Sequence, residues 1–446
     1  MTHQMAVFIG TLCALVLMCL GTHWKTRSSD DERSCEEFKR FQKIYITVYL
    51  LATAADWLQG PHVYVLYESY GLSSKEIGEL FVGGFASSMI FGTFIGSLAD
   101  KCGRKLNCLI YAVLYGAACV TKHFSNYNIL MVGRILAGVA TSILFSAFES
   151  WAICEHSKRQ LARESMGTLF ANAVLGNSIV AVIAGLVAEI AASKFGFVAP
   201  FDLSLCTLLI MAVVLMSTWS ENYGDKTGNI ALSFQEALRV LRNDRRVLCL
   251  GLIQSLFEGA MYTFVLQWTP ALTSTNQIIP HGLIFSGFMV SVMIGSSLFK
   301  IFSRRSNAES FMRIVYIVAT VALSAPIFIA KGDILIYFSF LVFECCVGIF
   351  WPAMATMRGK YVPEETRATI MNIFRIPLNL IVILVLLQDF PLSKTFVLCV
   401  IFLASCYIVQ ELLYRLTKTT TQIILPISDC PRSVKLSGVV TSPSVS

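Results

Sequence analysis

Apolar residues run along this chain in long blocks separated by short polar stretches. Thirteen blocks stand out: Met5–Leu20, Phe41–Tyr67, Ile77–Ala99, Leu106–Val120, Tyr127–Trp151, Met166–Ala192, Pro200–Ser220, Val247–Leu272, Ile278–Phe302, Phe311–Ala330, Ile334–Met357, Thr369–Leu387 and Leu392–Leu416. A helix of about 20 apolar residues, rising about 1.5 Å per residue, crosses the roughly 30 Å hydrocarbon core of a bilayer. The pattern predicts an all-α polytopic membrane protein. Its longest internal polar break, Glu221–Arg246, separates six spans from six, with one span left over at the N-terminus. The expected organisation is an anchor helix and inner linker at 1–40, a six-helix half at 41–220, a central cytoplasmic loop at 221–246, a second half at 247–416 and a disordered cytoplasmic tail at 417–446. Within the central loop, Leu232–Leu241 has helical spacing with Arg239 and Arg242 on its polar side, the pattern of a helix lying on the inner surface.

Polar residues interrupt the apolar blocks at helical spacing. Gln254, Glu258 and Tyr262 fall on one face of one span, and Asn372, Arg375 and Asn379 on one face of another, beside Pro377. Asp56 and Gln59 share a face just before Gly60–Pro61, where a kink is expected. Glu344, Glu149 and Arg134 complete the intramembrane ionisable set. Such groups are costly at bilayer depth and mark functional positions. Asp56, Glu258 and Glu344 fall about 15–20 Å into their spans, near the midplane, at about 1.5 Å per residue. These stripes predict a water-accessible central cavity.

Composition adds orientation. The 446 residues are 55% hydrophobic and 14% charged, with a mean hydropathy of +0.67. Of the 35 lysines and arginines, 28 fall on one set of loops and the tail and 5 on the other. The basic side is the cytoplasm, so the net charge of +7 is a topology signal and not a nucleic-acid footprint. Met1–Gln4 carries no basic residue, while Lys25 and Arg27 follow the first span. That span reads as a retained anchor with its N-terminus outside, not as a cleaved signal peptide. None of the 14 cysteines falls in an outward loop, so no disulfide framework is expected. The six histidines are scattered, only His62 being intramembrane, and no phosphate-cradling glycine loop occurs. The chain reads as a non-enzymatic protein with no metal or cofactor.

One decapeptide between two spans reads Gly96-Ser-Leu-Ala-Asp100-Lys-Cys-Gly103-Arg104-Lys105. It resembles the cytoplasmic loop G-x-L-x-D-x-x-G-R-[RK] of the major facilitator superfamily, matching every defined position. Gly295-Ser296-Ser297-Leu298 echoes its start in the second half, without the acid. The resemblance implies the superfamily's 6+6 helix bundle, here with one extra N-terminal transmembrane helix, and transport by alternating access. It implies gating roles for Gly96, Asp100, Gly103 and Arg104. Glu155 is placed to pair with Arg104 across the inner gate, and Asp100 to face a helix N-terminus. The stretch Gly133-Arg134-Ile135-Leu136-Ala137-Gly138 is similar to the fourth-helix arginine region of the superfamily.

Longer strings narrow the resemblance. Ala54–Pro61, Phe145–Trp151, Leu256-Phe257-Glu258, Gln267–Pro270, Asn372–Leu378, Arg245–Leu248 and Trp351-Pro352 together resemble the molybdate-anion transporter branch. This implies uptake of a tetrahedral oxyanion by a carrier, taken as monomeric, in the cell membrane. Candidate substrate contacts are Arg375, Asn372, Asn379, Arg134, Gln254 and Tyr262. The acids Asp56, Glu258 and Glu344 would repel a dianion when ionised, so they are candidate proton-coupling residues. The same acids suit a neutral or cationic solute, such as a sugar or amine. A non-transporting membrane sensor is the third alternative.

Overall fold

The computed structural model describes residues 3–31, 36–224, 230–272, 281–330, 334–388 and 391–424. They form helices α1 (His3–Asp31), α2 (Glu36–Gln59), α3 (Val63–Ser69), α4 (Ser74–Cys102), α5 (Arg104–Val120), α6 (Tyr127–Leu144), α7 (Ala147–Lys158) and α8 (Arg163–Phe195). Then come α9 (Ala199–Thr218), α10 (Ile230–Asn243), α11 (Arg245–Leu272), α12 (His281–Ser303), α13 (Ala308–Phe328), α14 (Ile334–Tyr361), α15 (Arg367–Leu387) and α16 (Leu392–Ile424). No strand occurs among the described residues. Ten membrane-competent segments are found among them by length and composition, and α2, α4 and α5 run beside these. The expected tail at 417–446 lies largely outside the described residues.

Each half has its own apolar core. One is built on α2–α9 around Tyr45, Tyr111, Phe148 and Trp151, the other on α11–α16 around Phe257, Phe264, Tyr337 and Phe350. Stacked rings tighten both: Trp151–Trp219 at 3.7 Å and Phe257–Phe350 at 3.9 Å between centroids, pairs of a kind worth about 0.5–1.5 kcal/mol beyond burial. The halves meet where α4 packs on α15 and where α8 packs on α12 and α14.

The internal repeat extends to backbone contact. A Cβ on Gly138 of α6 would overlap the Gly84 carbonyl of α4, and one on Gly295 of α12 would overlap the Cys345 carbonyl of α14. Only glycine permits so close a crossing. Gly96 lies within α4 and Gly295 within α12. The expected Gly96–Lys105 loop shrinks to Gly103 alone, which turns the chain at φ +117°.

Two expected spans are broken. Phe41–Tyr67 divides at Gly60–His62, a single 3-10 turn with Pro61 at its start. Tyr127–Trp151 breaks at Phe145–Ser146, and its second part runs on as α7 to Lys158. The extra helix α1 does not pack on the half it precedes. It docks on α12 of the second half, with Phe8 edge-on to Tyr337 at 4.9 Å and Cys19 against Val290 and Ile294.

Candidate functional site

A cavity of about 380 Å³ lies between the halves. The first half contributes Asp56 and Trp57 from α2, Phe145 from the α6–α7 break and Glu149 from α7. The second half contributes Gln254, Glu258 and Tyr262 from α11, and Glu344, Trp351 and Arg358 from α14. The stripe expected on α11 thus faces the cavity. The α6–α7 break is held by Ser146, whose hydroxyl donates to the Ser142 carbonyl (2.6 Å) and accepts from Asn372 Nδ2 (3.0 Å).

Four carboxyl groups line this space, each in a different setting. Asp56 accepts from the Tyr115 hydroxyl. Glu149 forms a two-pronged ion pair with Arg358, Nε to Oε1 at 2.8 Å and Nη2 to Oε2 at 2.6 Å. Arg358 Nη1 donates to Gln254 Oε1 at 2.9 Å. Glu258 is fully buried, lies in the field of both Arg375 and Arg358, and its Oε1 makes no hydrogen bond among the described residues. Glu344 is buried on α14.

The stripe expected on α15 faces the junction of the halves and is not on the cavity wall. Asn372 reaches Ser146, and Asn379 Nδ2 reaches Ser88 Oγ of α4 at 3.2 Å. Arg375, only 3% exposed, lies 4.6 Å over the Phe145 ring, on the far side of a residue that lines the cavity. Its Nε and Nη1 make no hydrogen bond among the described residues. Arg134 stands apart within the first half, over the Phe81 ring at 4.5 Å and donating to the Leu80 carbonyl at 3.4 Å. Arg134 and Arg375 are thus not brought to one place on the cavity wall.

At the basic end the halves are latched. Asp100, fully buried, accepts from the backbone N–H of Thr369 and from its hydroxyl, both at 3.0 Å. The expected carboxylate at a helix N-terminus is therefore present, at the start of α15. Such placement is worth about 0.3–1 kcal/mol. Arg104 Nη2 donates to Asp100 at 3.0 Å, and Nη1 pairs with Glu364, which also takes Arg367. Burial works against charge on Glu364, but Arg367 and Arg104 outweigh it and hold this carboxyl below the ordinary glutamate range. That contact is present at neutral pH and is lost as pH falls through the lowered value. Glu221 caps α5 through the N–H of Lys105 (2.8 Å) and of Leu106 (3.1 Å).

The Glu155–Arg104 pair does not form. Arg104 donates to the Ser150 carbonyl at 3.1 Å, and Glu155 lies more than a turn further along α7, about 7 Å at 1.5 Å per residue. Glu155 instead binds Arg159 at 2.8 Å and accepts from Ser220 at 3.2 Å. Asp100→Asn should leave the protein folded while weakening the latch by about 1–2 kcal/mol and slowing transport about tenfold. Uptake measured at matched expression checks this, and a wild-type rate removes Asp100 from gating.

Sequence reasoning missed Arg358 and Glu364. Arg358 follows directly on the expected end of its apolar block, at Met357, and so counted as a loop cation, but α14 continues to Tyr361 and buries it. Lys122, counted in an outward loop, is also buried, donating to the Tyr67 hydroxyl at 2.6 Å.

A model of the MFS family described as sugar transporters with 12 TM matches residues 4–340. The molybdate-anion transporter of Xenopus laevis is 32% identical over 443 residues, covering 95% of this chain and 97% of that protein. The one from Danio rerio is 34% identical over 386 residues, covering 78% and 79%. Among solved structures, the E. coli fucose:proton symporter superposes with a TM-score of 0.69 at 15% identity, covering 83% of this chain and 98% of that one. The human organic anion transporter MFSD10 gives 0.61 at 14% identity, covering 86% and 99%. These structural likenesses establish the fold.

Proposed function

The chain belongs to the major facilitator superfamily, and from that premise we propose that it takes up the molybdate oxyanion by alternating access through the central cavity. The observation that carries the reading is its identity of about one third with molybdate-anion transporters along most of its length. The site chemistry supports an anion. Two guanidinium nitrogens of Arg375, Nε and Nη1, make no hydrogen bond among the described residues, and a tetrahedral dianion is well held by a planar guanidinium fork. Tyr262 and Gln254 add polar contacts on the cavity wall. Phe145 must turn aside for cargo to reach Arg375.

Charge balance implies protons. With Glu149 matched by Arg358, three cavity carboxyls remain, on Asp56, Glu258 and Glu344. Ionised, they repel a dianion. Protonated, they donate hydrogen bonds to it. Proton-coupled entry reconciles the acids with the cargo. The same carboxyls, and the sugar-transporter description of the family, favour a second reading, a neutral or cationic organic solute.

Uptake of radiolabelled molybdate into proteoliposomes separates the two. The expected result is saturable uptake, stimulated by an inward proton gradient and reduced by excess sulfate. No uptake above protein-free vesicles overturns the molybdate reading. We read the carrier as a monomer of the cell membrane, and the distribution of basic residues supports the start of α1 outside and the end of α16 inside. Epitope tags at the two ends should give surface labelling in intact cells only for the N-terminal tag. Surface labelling of the C-terminal tag reverses the topology.

A further inference from the structure

Arg358 and Glu149 stand where neither the loop motif nor the α15 stripe pointed. Both line the central cavity, Arg358 with 2% exposure, and Glu149 fills its guanidinium fork with two oxygens. The geometry is the one a tetrahedral oxyanion adopts on arginine, with two oxygens against two parallel N–H donors. The third donor, Nη1, is fixed by Gln254, so the fork stays aimed when its occupant changes. The pair also joins the halves: Glu149 belongs to α7, while Arg358 and Gln254 belong to α14 and α11.

Resting on the molybdate reading, we propose that Arg358 is a cargo-binding residue and that Glu149 is a built-in surrogate anion, displaced from the fork when the oxyanion arrives, so that binding itself cuts a tie between the halves. A ligand shifts a conformational equilibrium only through contacts that differ between states. Here the difference is explicit. With the fork held by Glu149 the halves are bridged, and with the fork held by cargo the second half alone holds the anion. Glu149 is not stranded when it leaves. Tyr45 and Tyr49 of α2 line the same cavity, lie within its electrostatic reach, and present hydroxyls that can receive its carboxylate. Arg375, also of the second half, lies within electrostatic reach of Glu258 and adds positive charge on that half.

Cys154 supplies the readout. It is buried on α7 beside Arg104 and Glu364 of the latch, so its alkylation by N-ethylmaleimide, resolved by mass spectrometry, reports opening of the basic end. In purified, reconstituted protein, molybdate should raise Cys154 alkylation. Glu149→Gln vacates the charged grip on the fork. It should bind molybdate about fivefold more tightly and show high Cys154 alkylation without molybdate. Arg358→Lys keeps a cation for Glu149 but loses the planar fork, so it should stay latched while binding falls about tenfold. The proposal is overturned if the wild type takes up molybdate while Glu149→Gln binds it no more tightly, or if Arg358→Lys binds it normally. Absence of molybdate binding and uptake by the wild type instead overturns the cargo reading, and this inference with it.

Discussion

Arg375→Ala should reduce molybdate uptake about a hundredfold, and Arg375→Lys about tenfold, at matched expression. Hydrogen bonds to a charged group are worth roughly 1.5–3 kcal/mol each, and Arg375 has two unpaired donors to offer. Arg375 interacts with Tyr262 and Glu258, but these two nitrogens make no hydrogen bond among the described residues although the guanidinium is only 3% exposed. Lysine retains the charge and loses the fork, hence the graded loss. The competing account gives Arg375 a packing role over the Phe145 ring, where a cation–π contact contributes about 0.5–2 kcal/mol. Equilibrium binding to detergent-purified protein with a wild-type elution profile separates them. A folded Arg375→Ala protein with normal binding leaves the arginine as packing alone.

Glu258→Gln should bind molybdate at least as well as the wild type while its uptake ceases to respond to a proton gradient. Glu258 lies in the field of both Arg375 and Arg358, and one of its oxygens makes no hydrogen bond among the described residues. Its ionised form competes with cargo for the field of both arginines, and its protonated form does not. Wild-type uptake should therefore rise as the outer side is acidified. Glutamine has the shape and neutrality of the protonated acid, so the variant's uptake should be flat across the same gradient. Loss of binding at every pH means that the carboxylate is needed ionised, and a neutral or cationic cargo then becomes the better account.

Much of the architecture was legible because bilayer crossing imposes a length and loop charge imposes a direction. The 6+6 division, the helix α10 in the central loop, the break at Gly60–Pro61 and a polar cavity all follow from pattern. What stayed hidden depends on which neighbour a face meets. The α15 stripe was found, but periodicity cannot say that Asn372 and Asn379 turn to Ser146 and Ser88 and not to the cavity. Arg358 was hidden for another reason. A cation at the end of an apolar run reads as interfacial, since long side chains snorkel outward, but Arg358 is held inward by Glu149 of the opposite half and Gln254 of its own. The break at Phe145–Ser146 carries neither glycine nor proline, so no local signal marked it.

The docking of α1 has a consequence for how the protein is made. α1 leaves the ribosome well before its partners: Val290 and Ile294 follow Cys19 by about 270 residues, and Tyr337 follows Phe8 by about 330. Until α12 and α14 are inserted, α1 has only lipid to cover the face it later buries. α1 is thus inserted ahead of α12 and α14, while assembly closes on it late. A chain interrupted after α10 holds the complete first half and a span whose docking site has not been synthesised.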